Sequence, residues 1–180
     1  DEEISRADRV KIKYTMQPKY ERHLVPAFAP PGEVIKVEIP EAFVGKLSMV
    51  FNVQCRSMGD TDHCKTRLYA LILNDLRLDR KVNYVGLPYG GDISFYYSGN
   101  DPLEINISGV ILQPYFYYGM TSDDEWENDL SKRPGPIAYL DTGNLVHIVP
   151  SKFIRGTTRM NDCMKYWRSA VQISHTTARD

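Results

Sequence analysis

Through the first 120 residues apolar and polar positions alternate in short runs. Leu103-Glu-Ile-Asn-Ile-Ser-Gly-Val110 is the most regular: Leu103, Ile105 and Ile107 fall on one side, Glu104, Asn106 and Ser108 on the other. That period of two predicts a strand in a sheet with one buried face. Val34–Ile39 carries a partial alternation and stops at Pro40. Lys46–Val53, Arg67–Leu73, Asp92–Tyr97 and Gln113–Tyr118 are further strand-like runs, rich in aliphatic or aromatic residues. Between them lie Pro30-Pro31-Gly32, Asn74-Asp75, Leu87-Pro88-Tyr89-Gly90-Gly91 and Ser98-Gly99-Asn100-Asp101-Pro102. These are turn sequences, because glycine accepts positive φ and proline or Asx residues start a bend.

The spacing changes near Gly119. Thr121 or Ser122 is placed to cap a helix whose first turn holds Asp123, Asp124 and Glu125, and which ends near Lys132, before Pro134. Ile137–Leu140 and Leu145–Val149, joined by Asp141-Thr-Gly-Asn144, predict a hairpin. A last helix is predicted over about Asn161–Ser174, with Met164, Trp167, Ala170 or Val171, and Ser174 on one face. The fold class that follows is mainly β: a jelly-roll-like antiparallel β-sandwich over residues 1–119, then a small α+β segment over residues 120–180.

Composition excludes several functions. The net charge is −1, so no basic excess draws the chain to nucleic acid. No apolar run approaches the roughly 20 residues of a membrane-spanning helix. Of three cysteines, Cys55 and Cys64 flank a polar, turn-rich stretch, where they either close a hairpin loop as a disulfide or remain thiols at strand ends; Cys163 is far from both. Asn106-Ile107-Ser108 is an N-glycosylation sequon. Sequon and possible disulfide both point to a secreted or cell-surface protein.

Chemistry is sparse. None of the four histidines, His23, His63, His147 and His175, is followed by glutamate, so HExxH is absent. His23 reads as a residue of a charged loop and His147 as part of a strand. His63 beside Cys64, with Cys55, lacks an evident fourth metal ligand. No metal site is therefore assigned within the chain. Asp123-Asp124-Glu125 suits helix capping better than acid–base catalysis. Twelve tyrosines, clustered at Tyr96-Tyr97 and Tyr115–Tyr118, serve either the core or the stacking of sugar rings.

Several segments, in order, resemble the enhancin-like zinc peptidases. They are Ala29–Pro40, Leu87–Tyr96, Ile107–Gly119, Thr121–Trp126 and Pro134–Pro150, with Tyr166-Trp167 beyond them. The resemblance implies a non-catalytic N-terminal portion of a metallopeptidase acting on glycoproteins or mucins. Zinc and HExxH are expected only in the remainder of the peptidase domain, which would be its partner along with a glycoprotein or glycan. One departure stands out: the family's "waEle" glutamate is Tyr139 here. Substrate-binding candidates are Tyr89, Gly90, Gly91 and Trp126. Gly90-Gly91 either lets substrate reach the backbone or makes a tight turn; Trp126 either lines a cleft or packs inward. The alternative is a free-standing, lectin-like module binding carbohydrate or protein.

Overall fold

The computed structural model describes residues 2–18, 22–52, 76–143 and 146–177. Cys55, Cys64, His63 and the strand-like run Arg67–Leu73 lie outside the described residues. Two compact units divide the chain, residues 1–112 and residues 113–180.

The first unit opens with a short helix, α1 (Glu2–Arg6), followed by β1 (Val10–Met16), β2 (Arg22–Ala29), β3 (Val34–Glu38) and β4 (Ser48–Phe51). β5 (Leu76–Arg77), β6 (Val82–Gly86), β7 (Gly91–Tyr96) and β8 (Leu103–Leu112) complete a curled antiparallel sheet of eight strands. The order is β5-β4-β7-β2-β8-β3-β6, and β1 also pairs with β8. The expected mainly-β fold is thus observed. Met16, Ile35, Val37, Phe51, Ile93, Phe95, Ile105 and Ile107 fill the inside of the curl. Each such burial contributes about 1.5–3 kcal/mol against an exposed side chain.

β8 holds the curl together because it serves two parts of the sheet. Its first half pairs with β1 and β3, while Ile111 and Leu112 pair with β2. The change occurs at Gly109. Val10 faces Val110 but Lys11 faces Ser108, so Gly109 is an extra residue in β8. Its φ is +85°, and a Cβ there would meet the Val34 carbonyl oxygen at 3.3 Å. The bulge inverts the phase: Ile105 and Ile107 point inward before it, Val110 after it. A second irregularity, between Val25 and Phe28, accommodates Pro26 inside β2, which has neighbours on both sides.

β1 alternates Val10, Ile12, Tyr14 and Met16 inward with Lys11, Lys13 and Thr15 outward; that pattern, β2 and β6 are strands the sequence reading left unassigned. His23 corrects an expectation. It is a buried residue of β2, not part of a charged loop, and its ring lies 6.1 Å from that of Tyr97.

The second unit contains β9 (Tyr115–Tyr117), α2 (Asp123–Lys132), β10 (Ile137–Asp141), β11 (Val146–Pro150) and α3 (Met160–Thr177). β9 pairs with β10 in parallel, with α2 as the crossover, and β11 pairs antiparallel with β10. The aromatic run at 113–118, read as part of the sandwich, therefore belongs to this smaller sheet. α2 starts with a full capping box: the Ser122 hydroxyl accepts from the Glu125 N–H, and the Glu125 carboxylate accepts from the Ser122 N–H. That exchange holds the Glu125 carboxyl below the usual range. Arg155 closes the other end of the helix, donating to the carbonyls of Leu130, Arg133 and Gly135 at 3.0, 3.3 and 3.2 Å.

Candidate functional site

The Tyr89-Gly90-Gly91 turn brings three of the four substrate-binding candidates together. Gly90 has φ +70°, and a Cβ on it would lie 2.5 Å from the Ala29 carbonyl oxygen and 2.9 Å from the Pro31 nitrogen. A Cβ on Gly91 would lie 2.7 Å from both Asn52 amide heteroatoms. Both glycines are required by the protein's own close contacts. They are buried, whereas Tyr89 is 62% exposed. The turn thus offers one aromatic ring to solvent above a closely packed backbone.

Asn52 clamps this turn. Its own backbone is left-handed, with φ 54°. Its side-chain NH₂ donates to the Gly90 carbonyl at 3.3 Å, and its Oδ1 accepts from the Asp92 N–H at 3.2 Å. The Asn52 N–H donates to the Asp92 carbonyl at 3.1 Å. One residue thereby satisfies three main-chain groups on the turn and the start of β7. The sequence gives only a weak cue to this role, an Asn directly after an apolar strand.

Asp92, next in the chain, is fully buried, and neither carboxylate oxygen has a hydrogen-bonding partner among the described residues. Burial pushes its carboxyl up to about 6, against lesser opposing effects from main-chain N–H groups and Arg22. The Ser94 hydroxyl, two residues on along the same side of β7, is likewise buried and has no hydrogen-bonding partner among the described residues.

Trp126 belongs to the second unit. It is fully buried in the second unit, edge-on to Phe116 at 5.6 Å, and its indole N–H donates to the Thr157 carbonyl at 3.1 Å. Phe116, Leu130, Ala138, Leu140, Met160 and Met164 complete that core.

The other candidates are placed as follows. Asn106 is half-buried on the outer side of β8, between Lys13 and Glu38 on the neighbouring strands. His147 is a β11 residue whose ring lies 4.7 Å from that of Trp167, itself 43% exposed. Cys163 is an exposed free thiol on α3. Tyr139 is fully buried, and its hydroxyl accepts from the Gln113 side-chain amide at 2.8 Å. Among the described residues no three His, Cys, Asp or Glu side chains come together as a metal site. No described helix is long and apolar enough to cross a membrane.

Comparison with known proteins gives these units a family. Residues 5–108, more than half of the chain, match the N-terminal domain of M60-like peptidases. The chain belongs to the M60-like, enhancin-like peptidase family. Residues 109–179 match peptidase M60, enhancin and enhancin-like. This M60-family chain is 24% identical to TRPM8 channel-associated factor 1 of Bos taurus over 148 residues, which is 81% of the chain and 16% of that relative. It is similar in fold to IMPa metallopeptidase in complex with T-antigen, with a TM-score of 0.61, 17% identity, and coverage of 86% of this chain and 19% of that one. The M60 catalytic domain of Clostridium perfringens ZmpC in complex with the sialyl T antigen gives a TM-score of 0.58 at 13% identity, covering 86% of this chain and 35% of that one. The chain therefore spans about a sixth to a third of the length of these relatives.

Proposed function

We propose that this chain is the N-terminal, non-catalytic portion of an M60-family zinc metallopeptidase that acts on O-glycosylated proteins such as mucins, and that by itself it hydrolyses no peptide bond. The observation that carries this reading is the order of the two family matches, an N-terminal domain followed directly by a stretch of the peptidase region. A zinc peptidase needs three protein ligands, an open coordination position and a general base. The four histidines do not supply HExxH spacing, and the described residues offer no ligand set, so no step of hydrolysis is assigned to them.

What this chain contributes in our reading is substrate presentation. Two structurally similar relatives are complexed with T-antigen or sialyl T antigen, so an O-glycan is the ligand class. Tyr89 is the residue suited to stack on a sugar ring, since it is exposed and its backbone is fixed by the rigid Gly90-Gly91 turn. The test is direct. The 180-residue chain is expected to leave an O-glycopeptide bearing T-antigen intact and to hold no stoichiometric zinc by elemental analysis. One equivalent of tightly bound zinc, or cleavage of the glycopeptide, overturns the reading.

The likeness to a TRPM8 channel-associated factor supports a second reading, a module that binds a partner protein or carbohydrate without any peptidase attached. Reading the parent gene beyond Asp180 separates the two. An HExxH motif within the next hundred or so codons favours the peptidase; a stop codon favours the free-standing module.

A further inference from the structure

The outer face of β6 carries a glycine that its surroundings do not require. Gly86 has no positive φ, and a Cβ on it would meet the Glu33 carbonyl oxygen and Val34 Cγ2 at 3.5 Å, which is ordinary van der Waals distance. Gly90 and Gly91 differ, since neighbouring atoms exclude a side chain from both. Glycine weakens a strand and packs nothing, and one that the backbone does not need often marks a close approach by a ligand. The side chains around Gly86 follow from strand register. Tyr84, two residues earlier on the same face of β6, is 71% exposed. Val34 of β3 lies opposite Gly86 and is 61% exposed, and Lys36 lies opposite Tyr84. Ser108 of β8 lies opposite Lys36 on its other side. The Lys36 ammonium pairs with Glu38 at 2.8 Å, and Glu38 also meets Lys11 at 3.4 Å. The sheet order ends at β6, so no described strand continues the face beyond Tyr84.

We infer that the outer face of β6 and β3 binds a neutral sugar: Tyr84 stacks on one ring, the gap at Gly86 beside Val34 receives the adjoining ring, and Lys36 and Ser108 face the hydroxyls. This rests on the O-glycan reading above and gives that ligand a surface beyond Tyr89, which follows Gly86 by three residues. Strand positions two apart stand about 6.7 Å from each other, so Tyr84 and the gap accept neighbouring rings of a disaccharide. A pyranose has C–H groups on its faces and hydroxyls around its edge. The patch offers the matching order, an aromatic face and then ammonium and hydroxyl donors. A protein partner is a poorer match. Stable protein interfaces bury about 800 Å² on each partner, and two exposed apolar side chains beside a glycine fall well short of that. A polyanion is a poorer match too, because Glu38 already answers Lys36 and Lys11.

NMR titration of the 180-residue chain with a T-antigen glycopeptide tests this. Amide shifts should change at Val34, Lys36, Tyr84 and Gly86. Tyr84→Ala should weaken binding about two- to tenfold. Gly86→Thr is the sharper variant. By filling the gap it should weaken binding about tenfold or more, while the melting temperature stays at or above that of the wild type, since threonine favours a strand. A glycine kept for the fold would instead lower the melting temperature when replaced, and that result overturns the proposal. Wild-type affinity in both variants overturns it as well. If Tyr89→Ala weakens binding and Tyr84→Ala does not, the O-glycan reading stands and this face is dismissed. If the wild type takes up no glycopeptide, both fall. Self-association in the wild type that Tyr84→Ala abolishes, without any change in glycopeptide binding, would make a second copy of the chain the occupant and overturn the proposal.

Discussion

Asn52 occupies the volume that any side chain on Gly91 would need: a Cβ at Gly91 would sit 2.7 Å from both Asn52 amide heteroatoms. The close approach belongs to the protein's own clamp, and it explains why glycine stands at position 91. Gly91→Ala should destabilise the chain by about 1–3 kcal/mol through overpacking. Asn52→Gly, which keeps the left-handed backbone accessible, should cost about 1–3 kcal/mol through unpaired main-chain groups. The double variant should cost less than the sum, since removing the amide makes room for the methyl group. Urea denaturation of the four proteins measures this coupling; strict additivity would show that the two residues do not compete for space.

Tyr89→Ala separates binding from folding. The side chain is largely exposed, so stability should change by no more than about 0.5 kcal/mol. Titration of a T-antigen glycopeptide should reveal weaker binding than in the wild type. Unchanged affinity would remove Tyr89 from the proposed contact surface.

The two tryptophans should report different environments. Trp126 is fully buried and Trp167 is 43% exposed. Acrylamide should quench one component of the fluorescence readily, and Trp167→Phe should abolish that component. Trp126→Ala should cost about 3–5 kcal/mol, the range for large core side chains, while Trp167→Phe should cost far less. A readily quenched Trp126 would contradict its place in the core.

Gly109 is where β8 changes partners, and its φ of +85° disfavours any other residue. Gly109→Ala should destabilise by about 1–3 kcal/mol, the cost of strained backbone, and the Val34 carbonyl 3.3 Å from the new Cβ adds to it. Thermal melting checks this. A neutral substitution would mean that β8 passes between the two parts of the sheet without the bulge.

The capping box of α2 gives a pH-dependent prediction. Ser122→Ala should cost about 1 kcal/mol at neutral pH. The Ser122 main-chain N–H, which alanine keeps, and then the Ser122 hydroxyl hold the Glu125 carboxyl below its unfolded value, so the hydroxyl's share of the stability is present above the ordinary glutamate range and lost as pH falls through the lowered value. The difference between Ser122→Ala and wild type should thus shrink in acid, as followed by denaturation at a series of pH values.

Local pattern was sufficient for much of this protein. The alternation from Leu103 to Ile107, the cap at Ser122, the stop before Pro134 and the 137–149 hairpin are set by neighbours within a few residues, and the resemblance to enhancin-like peptidases was legible in the order of short segments. Hydrophobic period and capping are properties of a stretch of chain, so they can be read without knowing what packs against it. What only the tertiary structure decided involves partners distant in sequence. Asn52 lies 40 positions from the Asp92 N–H it holds. β9 resembled a sandwich strand until its pairing with β10 assigned it to the smaller sheet. His23 became a buried strand residue and Trp126 a core residue, because burial depends on which surfaces meet, and a one-dimensional pattern does not carry that information. The burial of Asp92 has the same origin: in sequence it is one more acid after a glycine pair, and only the folded chain shuts its carboxyl away from water.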